Sequence, residues 1–146
     1  MIHGMGDDMA IGSTAYGALG GRDRALNVYK HMSIETAAPA ELVLMLYNRA
    51  LRNMEEATGC LNRKDIEGSN QNLQKAQDIV DELLVSLNVP AGGKLAQDLA
   101  AMYEYVNSRL LMANVKKDAS FVQDAARVLS EIRDGWAEVV GKHAYR

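Results

Sequence analysis

The 146-residue chain carries 16 basic and 19 acidic residues for a formal charge of −3, with 48% apolar residues, 5% aromatic residues, two prolines and one cysteine. That is enough apolar material for a single domain with a buried core, and it lacks the basic field that a nucleic-acid backbone or an anionic membrane surface would require. Lone Cys60 allows no internal disulfide, the first residues lack a long apolar run, and no segment approaches the roughly 20 apolar residues that span a bilayer. The expectation is a cytoplasmic protein with no membrane insertion and no nucleic-acid partner.

Residues 1–24 contain Gly4, Gly6, Gly12, Gly17, Gly20 and Gly21 and no sustained apolar period. Ordering them would cost backbone entropy that little burial offsets, so a disordered glycine-rich tail is expected. In residues 25–37, Leu26, Tyr29 and Met32 recur at every third position, which makes one apolar edge on a short helical turn or two. A segment of that length is not stable unsupported and needs a surface to lie on.

The first long helix is expected over residues 39–61. Pro39 fits a first helical turn, where its missing N–H has no partner to lose, and Glu41 sits where the helix dipole favours negative charge. Leu42, Val43, Leu44, Met45, Leu46 and Tyr47 follow without a polar break, so at about 100° per residue this part of the helix is apolar nearly all round. Either it lies deep inside a bundle, the commoner outcome, or it has a second apolar face for something else. Ala50, Leu51, Met54, Ala57 and Leu61 continue one side.

A polar turn over residues 62–65 ends in Asp65, a good N-cap. In the second helix Ile66, Ser69, Leu73, Ala76, Val80, Leu83 and Leu87 alternate spacings of three and four, the pattern of a bundle seam. Pro90 and the paired Gly92 and Gly93 interrupt before a third helix over residues 94–115, whose seam is Ala96, Leu99, Tyr103, Val106, Leu110 and Ala113. Leu95, Met102, Tyr105 and Met112 stand beside that seam and widen the apolar stripe. After a turn at residues 116–118, with Asp118 as N-cap, the fourth helix places Val122, Ala125, Leu129, Ile132, Trp136 and Val139 at the same spacing and ends near Gly141. Four helices of some 20 residues joined by short turns fold as an all-α, antiparallel up-down-up-down four-helix bundle.

Chemistry-bearing sets are missing from this pattern. No Glu-x-x-His pair lies on the long helices, His3, His31 and His143 fall outside them, and one cysteine cannot make a zinc set. Gly92-Gly93-Lys94 lacks the preceding strand and the spacing of a phosphate loop. No catalytic residue, metal ligand or cofactor site is nominated, and the chain reads as no enzyme. Tyr29, Tyr47, Tyr103, Tyr105 and Trp136 fit core or rim packing, or else a groove that takes another helix.

The run Glu35-Thr36-Ala37-Ala38-Pro39-Ala40-Glu41-Leu42-Val43-Leu44-Met45-Leu46-Tyr47, preceded by Tyr29-Lys30, resembles the opening of the flagellin-specific export chaperones, the FliS family. The resemblance continues through Lys75-Ala76-Gln77-Asp78-Ile79, Gly92-Gly93 with Leu95-Ala96, Arg109-Leu110, Ala113-Asn114, and Arg133 with Trp136, and covers residues 25–140. The chain departs from the family pattern at Ala38, at Asn48-Arg49, and at Lys94 and Asp98. The resemblance implies a chaperone that binds the disordered C-terminal region of flagellin, prevents premature polymerisation and delivers it to the type III export gate. A regulatory adaptor that holds an anti-sigma factor or other flagellar regulator is the second reading. A client helix would occupy apolar positions that flank the seams, which nominates Leu42, Met45, Tyr47, Leu95, Met102 and Tyr105, with Leu26, Tyr29 and Met32 as a lid over that groove.

Overall fold

The computed structural model describes residues 40–87 and 89–144, and within them all side chains except those of residues 89–92, 95, 139–140 and 142–144. Four helices follow one another: α1 (Ala40–Asn62), α2 (Ile66–Ser86), α3 (Val89–Lys116) and α4 (Ala119–Ala144). Each packs against its neighbours in the chain, and α4 closes the ring against α1, so the helices form a square with α1 and α3 on one diagonal. The short turns leave no room for a crossover, and consecutive helices therefore run antiparallel.

Two of the turns are built alike. At the end of α1, the Asp65 N–H donates to the Cys60 carbonyl at 2.8 Å and the Lys64 N–H to the Leu61 carbonyl at 3.1 Å, a Schellman closure with Lys64 left-handed at φ 60°. Asp65 then turns its carboxylate onto the Gly68 N–H at 3.0 Å and starts α2. At the end of α3, Lys117 takes φ 54°, the Asp118 N–H reaches the Ala113 carbonyl at 3.3 Å, and the Asp118 carboxylate accepts the Ser120 N–H at 2.9 Å. That bond holds the Asp118 carboxyl below the usual carboxylate range. Both expected N-caps are in place.

Between α2 and the rest of α3 the chain breaks differently. Helical geometry resumes at Val89, and Gly93 interrupts it with φ 61° and ψ −143°, a conformation reserved for glycine. The long straight part of α3 thus begins after Gly93, where the third helix was expected. α4 runs on through Gly141 to Ala144, a turn beyond its expected end.

Leu73, Val80, Leu129 and Ile132 are fully buried, as their uninterrupted seams require. The α3 seam is buried throughout, from Ala96 to Ala113. Ile66, the first residue of α2, departs from the pattern and is 59% exposed, whereas Ser69 in the same turn is fully buried. Across the α1–α3 diagonal the Tyr47 and Tyr103 hydroxyls hydrogen-bond to each other inside the core. Burial pushes both phenols well above the ordinary tyrosine value of 10.0. At one end, the Trp136 indole N–H donates to the Ala40 carbonyl at 2.8 Å and fastens α4 to the first turn of α1.

Candidate functional site

A closed square bundle can offer a partner only its outer ridges and grooves, so the apolar side chains that the core leaves uncovered define the candidate surface. On α1 these are Leu42, 44% exposed, and Met45, 58% exposed. Their spacing of three places them side by side on one stripe of the helix. Val43 and Tyr47 point into the core between them. The dense apolar opening of α1 therefore serves both purposes: one row builds the core and the other stays outside.

One side-chain hydrogen bond bridges the α1–α4 groove. Arg133 on α4 donates from Nη1 to Asn48 Oδ1 at 2.9 Å and from Nε to Asp134 at 2.7 Å. Below this bridge lies a cleft of about 320 Å³ lined by Leu51, Met54, Glu55, Thr58, Val122, Gln123, Ala126, Ser130 and Arg133. On the opposite corner, Tyr105 lies half-buried on α3 beside Arg109. The Arg109 guanidinium is buried 4.9 Å from the Phe121 ring centre on α4 and 5.7 Å from that of Tyr105. This stack fills the α3–α4 seam by cation–π contact and keeps the face of Tyr105 covered.

The residues nominated from sequence are divided by this arrangement. Leu42 and Met45 are brought together on α1; Tyr105 sits on the diagonally opposite helix and shares no groove with them. Tyr47 and Met102, expected to flank the seams, are core residues at 0% and 1% exposure. Tyr47 points at Tyr103 across the diagonal, and Met102, one position before Tyr103, is buried in the same core. The Leu95 side chain and the lid residues Leu26, Tyr29 and Met32 lie outside the described residues.

Exposed apolar side chains that the spacing did not single out are Leu111 and Val115 on α3 and Val85 on α2, at 47%, 67% and 83%. Leu111 and Val115 are four residues apart on one stripe of α3, a signal the sequence does contain. Buried Arg109 carries no hydropathy signal at all.

Among the described residues, no three His, Cys, Asp or Glu side chains cluster as a metal site would need, and no helix is long and apolar enough to cross a membrane. Cys60 is buried against Gly68, where an added Cβ would come within 2.8 Å of its sulfur, and the Arg63 guanidinium approaches that sulfur at 3.5 Å. It is a packing residue.

A family model described as "Flagellar protein FliS" matches residues 22–143, which takes in all four helices but for the last residue of α4. The chain belongs to the FliS family. Among its relatives, the flagellar secretion chaperone FliS of Bacillus subtilis is 37% identical over 112 residues, covering 77% of this chain and 83% of that protein. FliSB of Pseudomonas aeruginosa is 32% identical over 117 residues, or 77% and 93% of the two chains, and FliS of Salmonella typhimurium is 29% identical over 126 residues, or 83% and 93%. The exposed residues Leu42, Met45, Leu111 and Val115 of this FliS-family chain lie inside the span that the family model matches.

Proposed function

We propose that the protein is a flagellar export chaperone whose client is the C-terminal region of flagellin, held as helices on the outside of the bundle until it is handed to the export apparatus in the cytoplasm. The observation that carries this reading is membership of a family of flagellar secretion chaperones, joined to apolar side chains left uncovered on a core that is already complete. Leu42 and Met45 on α1 give a helical client two anchors at one-turn spacing, the way an amphipathic helix is read by a groove. A client that folds only on binding can cover a large surface and still be released. In this reading the protein performs no catalysis and needs no cofactor. Leu26, Tyr29 and Met32 act as a lid that competes with the client for the same surface.

Titration calorimetry with the C-terminal flagellin peptide tests the reading. Met45→Glu puts a charge on an exposed anchor, and is expected to weaken binding by roughly tenfold or more while leaving the melting temperature nearly unchanged. Deleting residues 1–32 is expected to tighten binding, since a competing lid lowers the apparent affinity by the closed fraction. Full-strength binding to the Met45→Glu variant would take this stripe out of the client surface, and no binding of the peptide to the unaltered chain would remove the reading.

A further inference from the structure

α2 and α4 each begin on an aspartate of their own, Asp65 and Asp118, whose carboxylates accept a backbone N–H of the first turn. α1 begins otherwise. The residues just before it in the chain, Ala37, Ala38 and Pro39, carry no side-chain oxygen that could cap it, and the first turns of an uncapped helix are the part that unwinds most readily. Its start is held by another helix instead. The Trp136 indole N–H on α4 reaches the Ala40 carbonyl at 2.8 Å, the same oxygen that takes the Leu44 N–H in the helical pattern. Seven residues on, two turns along the same side of α1, the Tyr47 hydroxyl bonds to that of Tyr103 on α3. Trp136 and Tyr103 are each 1% exposed, so the first two turns of α1 are fastened at both ends from inside the core.

Between these two fastenings lie Leu42, Val43, Leu44, Met45 and Leu46, with no polar side chain among them. Further along α1, Arg52, Glu55 and Glu56 are exposed opposite buried Ala50, Met54 and Ala57, so the cost of burying charge decides which way that half of the helix faces. The apolar half has no such guide. Packing Leu42 and Met45 inward would bury apolar surface comparable to that of Val43, and the gain from burial alone does not choose between the two rows. Yet Val43 is inside, and Leu42 and Met45 are outside.

We infer that Trp136 and Tyr103 are positioning residues for the outer row of α1: their hydrogen bonds to Ala40 and Tyr47 hold the first two turns wound and facing so that Leu42 and Met45 stay in water, ready for a client. The inference rests on the client surface proposed above and names what keeps that surface in place. Neither residue touches the client. Their effect is pre-organisation, since a client met by a row already set in place does not have to order it on binding. Molecules in which the first turns have unwound lack the two anchors at one-turn spacing, and the apparent affinity falls with the fraction that remains competent.

Amide hydrogen exchange, followed by NMR on the full chain without client, tests the fastenings directly. Trp136→Phe keeps an aromatic ring in the core and removes the N–H. It is expected to speed exchange at Leu44, Met45 and Leu46 by roughly tenfold or more beyond any rise at Met54 and Ala57, and to weaken binding of the C-terminal flagellin peptide by a similar factor. Tyr103→Phe, which removes only a hydroxyl, is expected to act in the same direction from the other end, and it decides the matter if Trp136→Phe does not keep its helices by circular dichroism. An equal rise throughout α1 would show that these side chains only stabilise the core, and would overturn the proposal. So would a selective rise at Leu44 to Leu46 with peptide binding undiminished, since the row would then need no positioning. A peptide that fails to bind even the unaltered chain removes the client reading instead, and the exchange pattern still decides whether the two bonds hold the start of α1.

Discussion

Met45 and Met102 carry the same side chain, sit on comparable helices, and differ almost only in burial, 58% against 1% exposed. Replacing each by alanine should therefore separate a surface role from a core role. Removing Met102 deletes a fully buried side chain and leaves a partly relaxed cavity beside Tyr103, which costs about 2–5 kcal/mol. Burying a whole methionine contributes about 1.5–3 kcal/mol, and more than half of Met45 is already in water, so its loss costs at most about 1 kcal/mol. Alanine's better helix propensity offsets part of that.

Urea melts measure both. Trp136 is the only tryptophan, is buried, and bonds to the Ala40 carbonyl, so its fluorescence reports whether α4 remains fastened to α1. With a urea dependence of about 1–3 kcal/mol per molar, Met102→Ala should lower the midpoint by about 1 M or more and Met45→Ala by a few tenths. Flagellin-peptide binding, measured where both variants are folded, should show the reverse order of damage. A Met102 variant within about half a kilocalorie of the unaltered protein, with Met45→Ala losing more than about 2 kcal/mol, would refute the assignment of inner and outer rows.

Base should destabilise this bundle through its buried phenols. Tyr47 and Tyr103 have folded-state values raised above the ordinary 10.0, so the stability they contribute is intact below pH 10 and is lost as pH rises through the folded values. Thermal melts at stepped alkaline pH should show the fall, and a Tyr47→Phe/Tyr103→Phe variant should show a shallower one. Lys64 spends backbone energy on its left-handed conformation and its side chain holds no carboxylate among the described residues, so Lys64→Gly should raise stability by up to about 1 kcal/mol in the same urea melts. A loss at that position would mean that the lysine side chain, not the turn geometry, matters to the fold.

How much of this was legible in the sequence depends on the local contrast between apolar and polar positions. In α2 the row Leu73, Ala76, Val80, Leu83 is bounded by glutamine, lysine and acid, and only one face can go inside; all four are buried. Asp65 and Asp118 announce helix starts by side-chain chemistry that needs no tertiary context. The Schellman closures with lysine at the left-handed position were not legible, since glycine or asparagine is the usual sign of that conformation.

The candidate surface was harder to read because it is what remains after the core has been chosen. A helix in a square bundle packs on two neighbours, so its buried arc is wider than one seam and takes in positions on either side of the three-four row. On α3 that arc takes up Met102 and Arg109 along with Tyr103 and Leu110, and on α1 it takes up Tyr47. Where a run such as Leu42 to Tyr47 is apolar all round, the pattern cannot say which residues fall within the arc; only the position of the neighbouring helices does. Met45 is left outside because the core row runs through Val43, Tyr47 and Ala50, which turns Met45 towards the far side of the helix. Ile66 also stays outside despite its perfect spacing while Ser69, three residues on, is fully buried, so the spacing does not mark where along a helix burial begins. The surface of this bundle is therefore set by where its core ends.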